Sequence, residues 1–332
     1  MAGNRNKKIT IHNKSDKPDN IVAKENEITM ECEEIESVLP NFLRSFFIYL
    51  RGNVLPMTRL AYLRDIKVFF NYLISETDLT SATEIKEISI KEINEIKAMD
   101  VNLYLDFSRR YKIETDSNIT VYENHNKTLA RKKSSLSVMF KQLYRDELVS
   151  RNITDGFDPI RVQKISEREI KALEDDEVLS MLDAVSKGIG LTPHERVYWE
   201  KTKKRDKTIL ILFLTYGLRL SELQQLNISS FNFTREEFKI YRKRGKESTM
   251  PLNKSVTKVI IDYINNERRT DDVLEPSHKD ALFLSLQGKR MTQRQIRDLV
   301  KKEIAAGYKG ITDGEFRRAY WHLDFFWGLG GI

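Results

Sequence analysis

Thr215–Leu223 reads TYGLRLSEL and directly follows an apolar run, TILILFL, at Thr208–Leu214. The apolar run has the look of a wholly buried helix, yet Arg219 stands at its edge. A guanidinium has no neutral form at physiological pH, so burying one demands a paired anion or a function. Glu222, three residues on and on the same helical face, could supply the anion internally. A substrate phosphate could supply it from outside. The rest of the chain has to decide between them.

With 332 residues the chain is long enough for two ordinary domains, and 40% hydrophobic residues suffice for a core. The formal net charge is +7 and the isoelectric point is near 9.1. That excess is modest for the length, so it matters only where basic residues cluster. A single cysteine, Cys32, excludes an intrachain disulfide and a Cys-based zinc site. No stretch approaches a membrane span and the N-terminus has no apolar signal core, so a soluble cytoplasmic protein without membrane association is expected.

Residues 1–34 are polar and rich in Asn, Lys and Asp, which predicts a disordered tail. A helical domain is expected over 35–155, built from four helices. VLPNFLRSFFIYLRG gives the first, closed by Gly52. TRLAYLRDIKVFFNYLISE gives the second, with Thr58 as its cap and Leu63, Ile66, Phe70 and Leu73 as its stripe. The third runs near Val101–Tyr111. TLARKKSSLSVMFKQLYRDEL gives the fourth, with Leu129, Leu136, Phe140 and Leu143 facing inward. Residues 156–172, with Gly, Pro and many charges, read as a linker.

A second domain is expected over 173–332. LEDDEVLSMLDAV opens it, capped by Asp175 or Asp176, and Lys201–Lys207 reads as a solvated basic loop. After Arg219 the apolar period changes to two in ISSFNF, FKIYRK and STMPL, predicting a three-stranded antiparallel sheet with a tight turn at Arg244–Glu247. Helices resume at Ser255–Arg268 and Thr292–Ile304. The fold class is therefore mainly α with a small antiparallel sheet.

Three features point to DNA. Arg59, Arg64 and Lys67 lie off the stripe of the second helix, and Lys127, Arg131, Lys132 and Lys133 cluster in the first turns of the fourth; both sets suit a phosphate backbone. Arg219 is the second feature. Lys243 is the third, a strand-end lysine twenty-four residues after Arg219. Taken together, Thr-x-Gly-Leu-Arg-x-Ser-Glu-Leu followed by three short strands with Lys on the second resembles the tyrosine recombinases, also called the phage-integrase family. The helical region resembles that family's core-binding domain, and the layout is most similar to the Xer-type recombinases of Gram-positive bacteria. The likeness covers about residues 35–302.

The resemblance implies site-specific DNA recombination or integration. Arg219 would hold the non-bridging oxygens of the scissile phosphate. Lys243 would protonate the leaving 5′-oxygen as general acid, with Lys246 as its rival in the same turn. A tyrosine would form a 3′-phosphotyrosine and retain the bond energy, so no cofactor and no metal is implied. The partners implied are double-stranded DNA carrying a short inverted-repeat site and further copies of the chain, as a tetramer at synapsis.

The C-terminal end departs from the family. None of the five histidines begins a His-x-x-Arg box: Ser15, Thr128, Val197, Ala281 and Phe325 stand three residues after them. ITDGEFRRAYW, Ile311–Trp321, is the nearest match, and it places Gly314 at the histidine and Arg317 at the second catalytic arginine. Fifteen residues follow Arg317, so the family's nucleophile would fall beyond Ile332; Tyr308 and Tyr320 are the weak candidates within the chain. One account is a reading frame interrupted near Lys302, leaving a truncated and catalytically dead recombinase. The other is a divergent member that reuses Tyr308 or Tyr320. Two further alternatives stay open: a non-catalytic DNA-binding protein with the same fold, and a helical interaction adaptor.

Overall fold

Ile28, Cys32, Ile35 and Leu39 follow one another at spacings of four, three and four, which sets a narrow apolar stripe in a highly charged segment. In the computed structural model, which describes residues 17–115, 118–162, 174–242, 246–269 and 276–307, that stripe is buried, its first three residues on helix α1, Asp19–Val38, and Leu39 just beyond the helix end. The tail expected through residue 34 is thus helical from Asp19, because composition hid a stripe that spacing reveals. Cys32 is fully buried on it, and burial pushes its thiol pKa up.

The described residues divide into two compact units, one within Val22–Arg168 and the other formed by residues up to Ile21 together with those from Glu169 onward. The first contains α2 (Arg44–Asn53), α3 (Pro56–Glu76), α4 (Ile90–Glu95), α5 (Ala98–Phe107) and α6 (Asn126–Arg145). Leu55 rather than Thr58 is the N-cap of α3, because Pro56 takes the first helical position, where its fixed φ and missing N–H cost nothing. The expected stripes are buried, and Phe69 packs edge-on against Tyr104 and Phe140 with ring centroids 5.0 and 6.4 Å apart.

Between α5 and α6 the chain forms an unexpected hairpin, β1 (Arg110–Thr115) against β2 (Asn118–Glu123). Tyr111 and Tyr122, opposite each other, stack at 5.2 Å, and Phe107 stacks on Tyr111 at 5.6 Å. The expected linker also begins too early. Phe157 is core, with its ring 6.3 Å from Phe140. Gly156 sits so close to α5 that an added Cβ would lie 2.6 Å from the Ala98 Cβ.

In the second unit α7 (Asp175–Lys187) is capped by Glu174, one residue before the expected aspartates. Thr192 caps α8 (Pro193–Trp199). The basic run is not a loop: from Lys203 it is the first turn of α9 (Lys203–Tyr216). Its leading N–H groups are satisfied by the Glu267 carboxylate, which accepts from Lys204 and Arg205 at 2.8 Å each. Next come α10 (Leu220–Gln224), the antiparallel sheet β3 (Phe231–Asn232), β4 (Glu237–Tyr241) and β5 (Glu247–Pro251), then α11 (Lys254–Asn266) and α12 (Gln293–Gly307). The mainly helical class with a small antiparallel sheet matches the expectation. Among the described residues no helix is long and apolar enough to cross a membrane.

Candidate functional site

Helix α9 is a buried rod whose Ile209, Leu210, Leu212, Phe213 and Leu214 are all in the core of their unit. It ends because Gly217 takes the left-handed conformation, φ 56° and ψ 34°, and donates its N–H to the Phe213 carbonyl at 2.9 Å. Leu218 then dives into the core and Arg219, with extended dihedrals, becomes the N-cap of α10. Glu222 reaches back. Its Oε2 accepts the Arg219 N–H at 2.9 Å and its Oε1 accepts Nη1 of the guanidinium at 2.7 Å.

The burial is the reverse of what the apolar run suggests. The Arg219 side chain is 58% exposed, and it is the Glu222 side chain, at 5%, that is inside. One edge of the guanidinium is fixed to the buried carboxylate, while Nε and Nη2 have no acceptor among the described residues. Such a group is oriented, charged and open to an incoming anion.

The β4–β5 hairpin is closed at its base by Leu252 N–H donating to the Glu236 carbonyl at 2.7 Å and near its tip by Arg242 N–H donating to the Lys246 carbonyl at 2.8 Å. Lys246 is exposed. Lys243 lies outside the described residues, as do Tyr308, Gly314, Arg317 and Tyr320. On the exposed face Lys239 Nζ pairs with Glu247 Oε1 at 2.7 Å, and Tyr241 donates to Oε2 of the same carboxylate at 2.6 Å. Those bonds hold the Glu247 carboxyl below the usual range.

The basic residues of the first unit separate into two groups. Two are corrected by the structure. Arg59 is buried one turn ahead of Leu63 on the inward stripe of α3. Its Nε and Nη2 bond Glu36 Oε1 at 3.0 and 2.7 Å, with both side chains only 7% exposed. Lys132 is buried as well, donating to the Tyr104 hydroxyl at 3.2 Å with Asp65 3.9 Å away. Burial lowers the Lys132 pKa and raises that of Asp65. Neither side chain is at the surface that a phosphate would reach.

The remaining residues are accessible to differing degrees. Arg131, 42% exposed, is anchored to Asp65 and donates to the Ala61 carbonyl of α3 at 3.2 Å. Lys133 donates to the carbonyls of Phe157 and Asp158 at 3.2 and 2.7 Å. Arg64 is exposed and pairs with Glu31 of α1. Lys67 is half-buried and Lys127 is exposed. Asp65 was the residue to notice in the sequence: it stands four residues before Phe69 on the inward face of α3, where a carboxylate must bring a partner with it.

Comparison with protein families matches residues 171–320 to the phage integrase family, a stretch that includes Arg219, Lys243 and Arg317. That segment is similar to the phage integrase family's domain. It is 27% identical over 282 residues to the tyrosine recombinase XerC of Caldanaerobacter subterraneus subsp. tengcongensis, covering 83% of this chain and 70% of that protein. It is 25% identical over 260 residues to the tyrosine recombinase XerD of Staphylococcus epidermidis, covering 77% and 74%. Among solved structures the fold is similar to the Tn1549 transposon integrase in complex with transposon right end DNA, at a TM-score of 0.53 and 16% identity, covering 83% of this chain and 80% of that one. It is also similar to the XerH site-specific recombinase bound to palindromic difH substrate, at a TM-score of 0.52 and 16% identity, covering 92% and 77%.

Proposed function

We propose that the chain binds duplex DNA and breaks and rejoins it at a specific site through a 3′-phosphotyrosine. The observation that carries the reading is Arg219: an exposed guanidinium, fixed along one edge by a buried carboxylate, in the stretch that matches the family. In this reading Arg219 holds the non-bridging oxygens and stabilises the charge that builds on them in the transition state. A tyrosine oxygen attacks phosphorus, the bond to the 5′-oxygen breaks, and Lys243 delivers the proton that the leaving oxygen needs. Rejoining runs the same steps backward, with the 5′-hydroxyl attacking the phosphotyrosine. Arg317 is the proposed second arginine, and Tyr308 and Tyr320 are the proposed nucleophiles within the chain.

The partner proposed is double-stranded DNA with a short inverted-repeat site, one protomer on each arm and four at synapsis. The complexes of the XerH recombinase with palindromic difH and of the Tn1549 integrase with a transposon end support it by likeness of fold. Arg64, Lys67, Lys127, Arg131 and Lys133 are the proposed backbone contacts of the helical unit.

A second reading, a DNA-binding protein of this fold that does not cut, is favoured by the lack of any His-x-x-Arg in the sequence. One experiment separates the two. The chain is incubated with a nicked suicide duplex carrying a candidate site, and duplex binding is measured alongside a denaturing gel. The first reading expects a covalent adduct, lost in Arg219→Ala while binding persists. Binding without an adduct selects the second reading, and no binding at all removes both.

A further inference from the structure

Asp65 is buried on α3, its side chain only 4% exposed, where an ionised carboxylate needs a cation. Two cations of α6 reach it. Lys132 Nζ lies 3.9 Å from Oδ1 in the interior, and Arg131 Nη1 bonds Oδ2 from the surface side. The same Nη1 donates to the Ala61 carbonyl at 3.2 Å, one helical turn before Asp65 on α3. Lys132 alone supplies Asp65 with a charge and α3 with a link to α6, so a purely structural role for the carboxylate is filled without Arg131. What Arg131 adds is an outward-facing cation. Its side chain is half-exposed, it is fixed at its tip to two points on one helix, and its Nε and Nη2 have no acceptor among the described residues. The arrangement repeats that of Arg219, where the buried Glu222 carboxylate holds one edge of an exposed guanidinium.

Resting on the DNA-binding reading above, we infer that Asp65 is a positioning residue: it holds the Arg131 guanidinium against α3 so that its open edge meets one particular backbone phosphate and fixes the register of the helical unit along the duplex. A phosphate contact carries no sequence information of its own, but it sets where neighbouring side chains fall. A lysine is a point charge on a flexible stem and follows a phosphate as it shifts. A guanidinium pinned along one edge instead presents its remaining N–H groups in a fixed plane. Pinning also removes beforehand most of the rotamer freedom that an arginine loses on meeting its ligand. Asp65 thus acts on DNA without touching it, through the direction that it gives to Arg131.

The test scans a duplex carrying a candidate site with methylphosphonates, each of which removes the charge of one backbone phosphate, and measures the affinity of the full chain for every position. The unaltered chain is expected to lose about tenfold at one phosphate whose neutralisation no longer matters to Arg131→Ala. Asp65→Ala keeps the Arg131 charge, yet it should lose its dependence on that same phosphate and on no other. Combining it with Arg131→Ala should weaken binding no further than Arg131→Ala does. Because Asp65→Ala strands Lys132 in the core, the scan is repeated with Asp65→Leu/Lys132→Met, which removes both buried charges and fills the space. Full dependence on that phosphate in either variant, an equal loss at every position, or a scan in which no position depends on Arg131 overturns the inference. If the unaltered chain does not bind duplex DNA, the DNA-binding reading has failed instead, and arginine chemistry decides the positioning by itself. Phenylglyoxal must then modify Arg131 several-fold faster in either variant than in the unaltered chain, read by peptide mass, while the rate at Arg64, whose partner is Glu31, stays as it was. An unchanged rate at Arg131 overturns it.

Discussion

Arg59 and Arg219 show how differently two arginines can use a glutamate. Arg59 and Glu36 are both inside, and the pair is a structural element of the helical unit. Arg219 keeps its charge outside and sends only Glu222 inward. Truncating Arg59 to Ala leaves Glu36 buried with one remaining ion-pair partner among the described residues, the half-exposed Arg51 at 2.5 Å. Arg59→Ala is therefore expected to lower unfolding free energy by about 3 kcal/mol; urea denaturation followed by circular dichroism checks it, and a loss below about 1 kcal/mol would mean that Arg51 suffices. Spacing made the Arg59 position legible, since 59, 63, 66 and 70 share a helical face. Residue type obscured it, because a charged side chain in a stripe reads as surface until its partner is known, and Glu36 lies in a helix that composition had disguised. The contact between Arg219 and Glu222 was legible from a spacing of three. Which of the two would be buried was not, since that depends on where Gly217 turns the chain.

Among the elements, α6 is instructive. Arg131, Lys132 and Lys133 are consecutive in sequence, but successive residues on a helix point about 100° apart. The three cations accordingly meet three environments: Asp65 and solvent, the Tyr104 hydroxyl in the interior, and the carbonyls of Phe157 and Asp158. A basic run in a helix is thus not one patch. The β1–β2 hairpin escaped notice because its six-residue strands interrupt a helical region and carry four charged residues beside five apolar ones. Helix α4 was hidden by its brevity and is defined by its cap. Glu92 accepts the N–H and hydroxyl of Ser89 at 2.7 and 2.8 Å, and the hydroxyl of Thr80 and N–H of Ser81 at 2.9 and 3.1 Å. The backbone N–H of Ser89 is the largest cause of a carboxyl pKa lowered to about 2. Because the folded value lies below the unfolded one, its contribution is present above the ordinary glutamate range and fades as pH falls toward 2. Melting temperatures of the protein and of Glu92→Gln should therefore converge as pH is lowered through that window; a constant gap between them would show that the charge is not what matters.

For the whole molecule, the two-unit division and the mainly helical class were legible because each rests on long periodic segments. The boundary between the units was not, since Phe157 packs back into the helical core from within a stretch that reads as linker. If the chain binds duplex DNA through backbone phosphates, the logarithm of its affinity should fall linearly with the logarithm of salt concentration, with a slope near −0.9 for each phosphate neutralised. Arg131→Ala should make that slope shallower by about one, while Lys132→Ala should leave the slope alone and lower stability. A salt-independent affinity would return the chain to the class of helical adaptors. The burial of Cys32 has a use beyond the fold. It is the chain's single thiol, it is fully enclosed, and its raised pKa leaves little thiolate to react. A cysteine introduced at an exposed position such as Leu103 or Tyr198 should therefore take a maleimide dye alone, with no background thiol to remove first. Single-fluorophore tracking of the two units on DNA can begin from the natural chain.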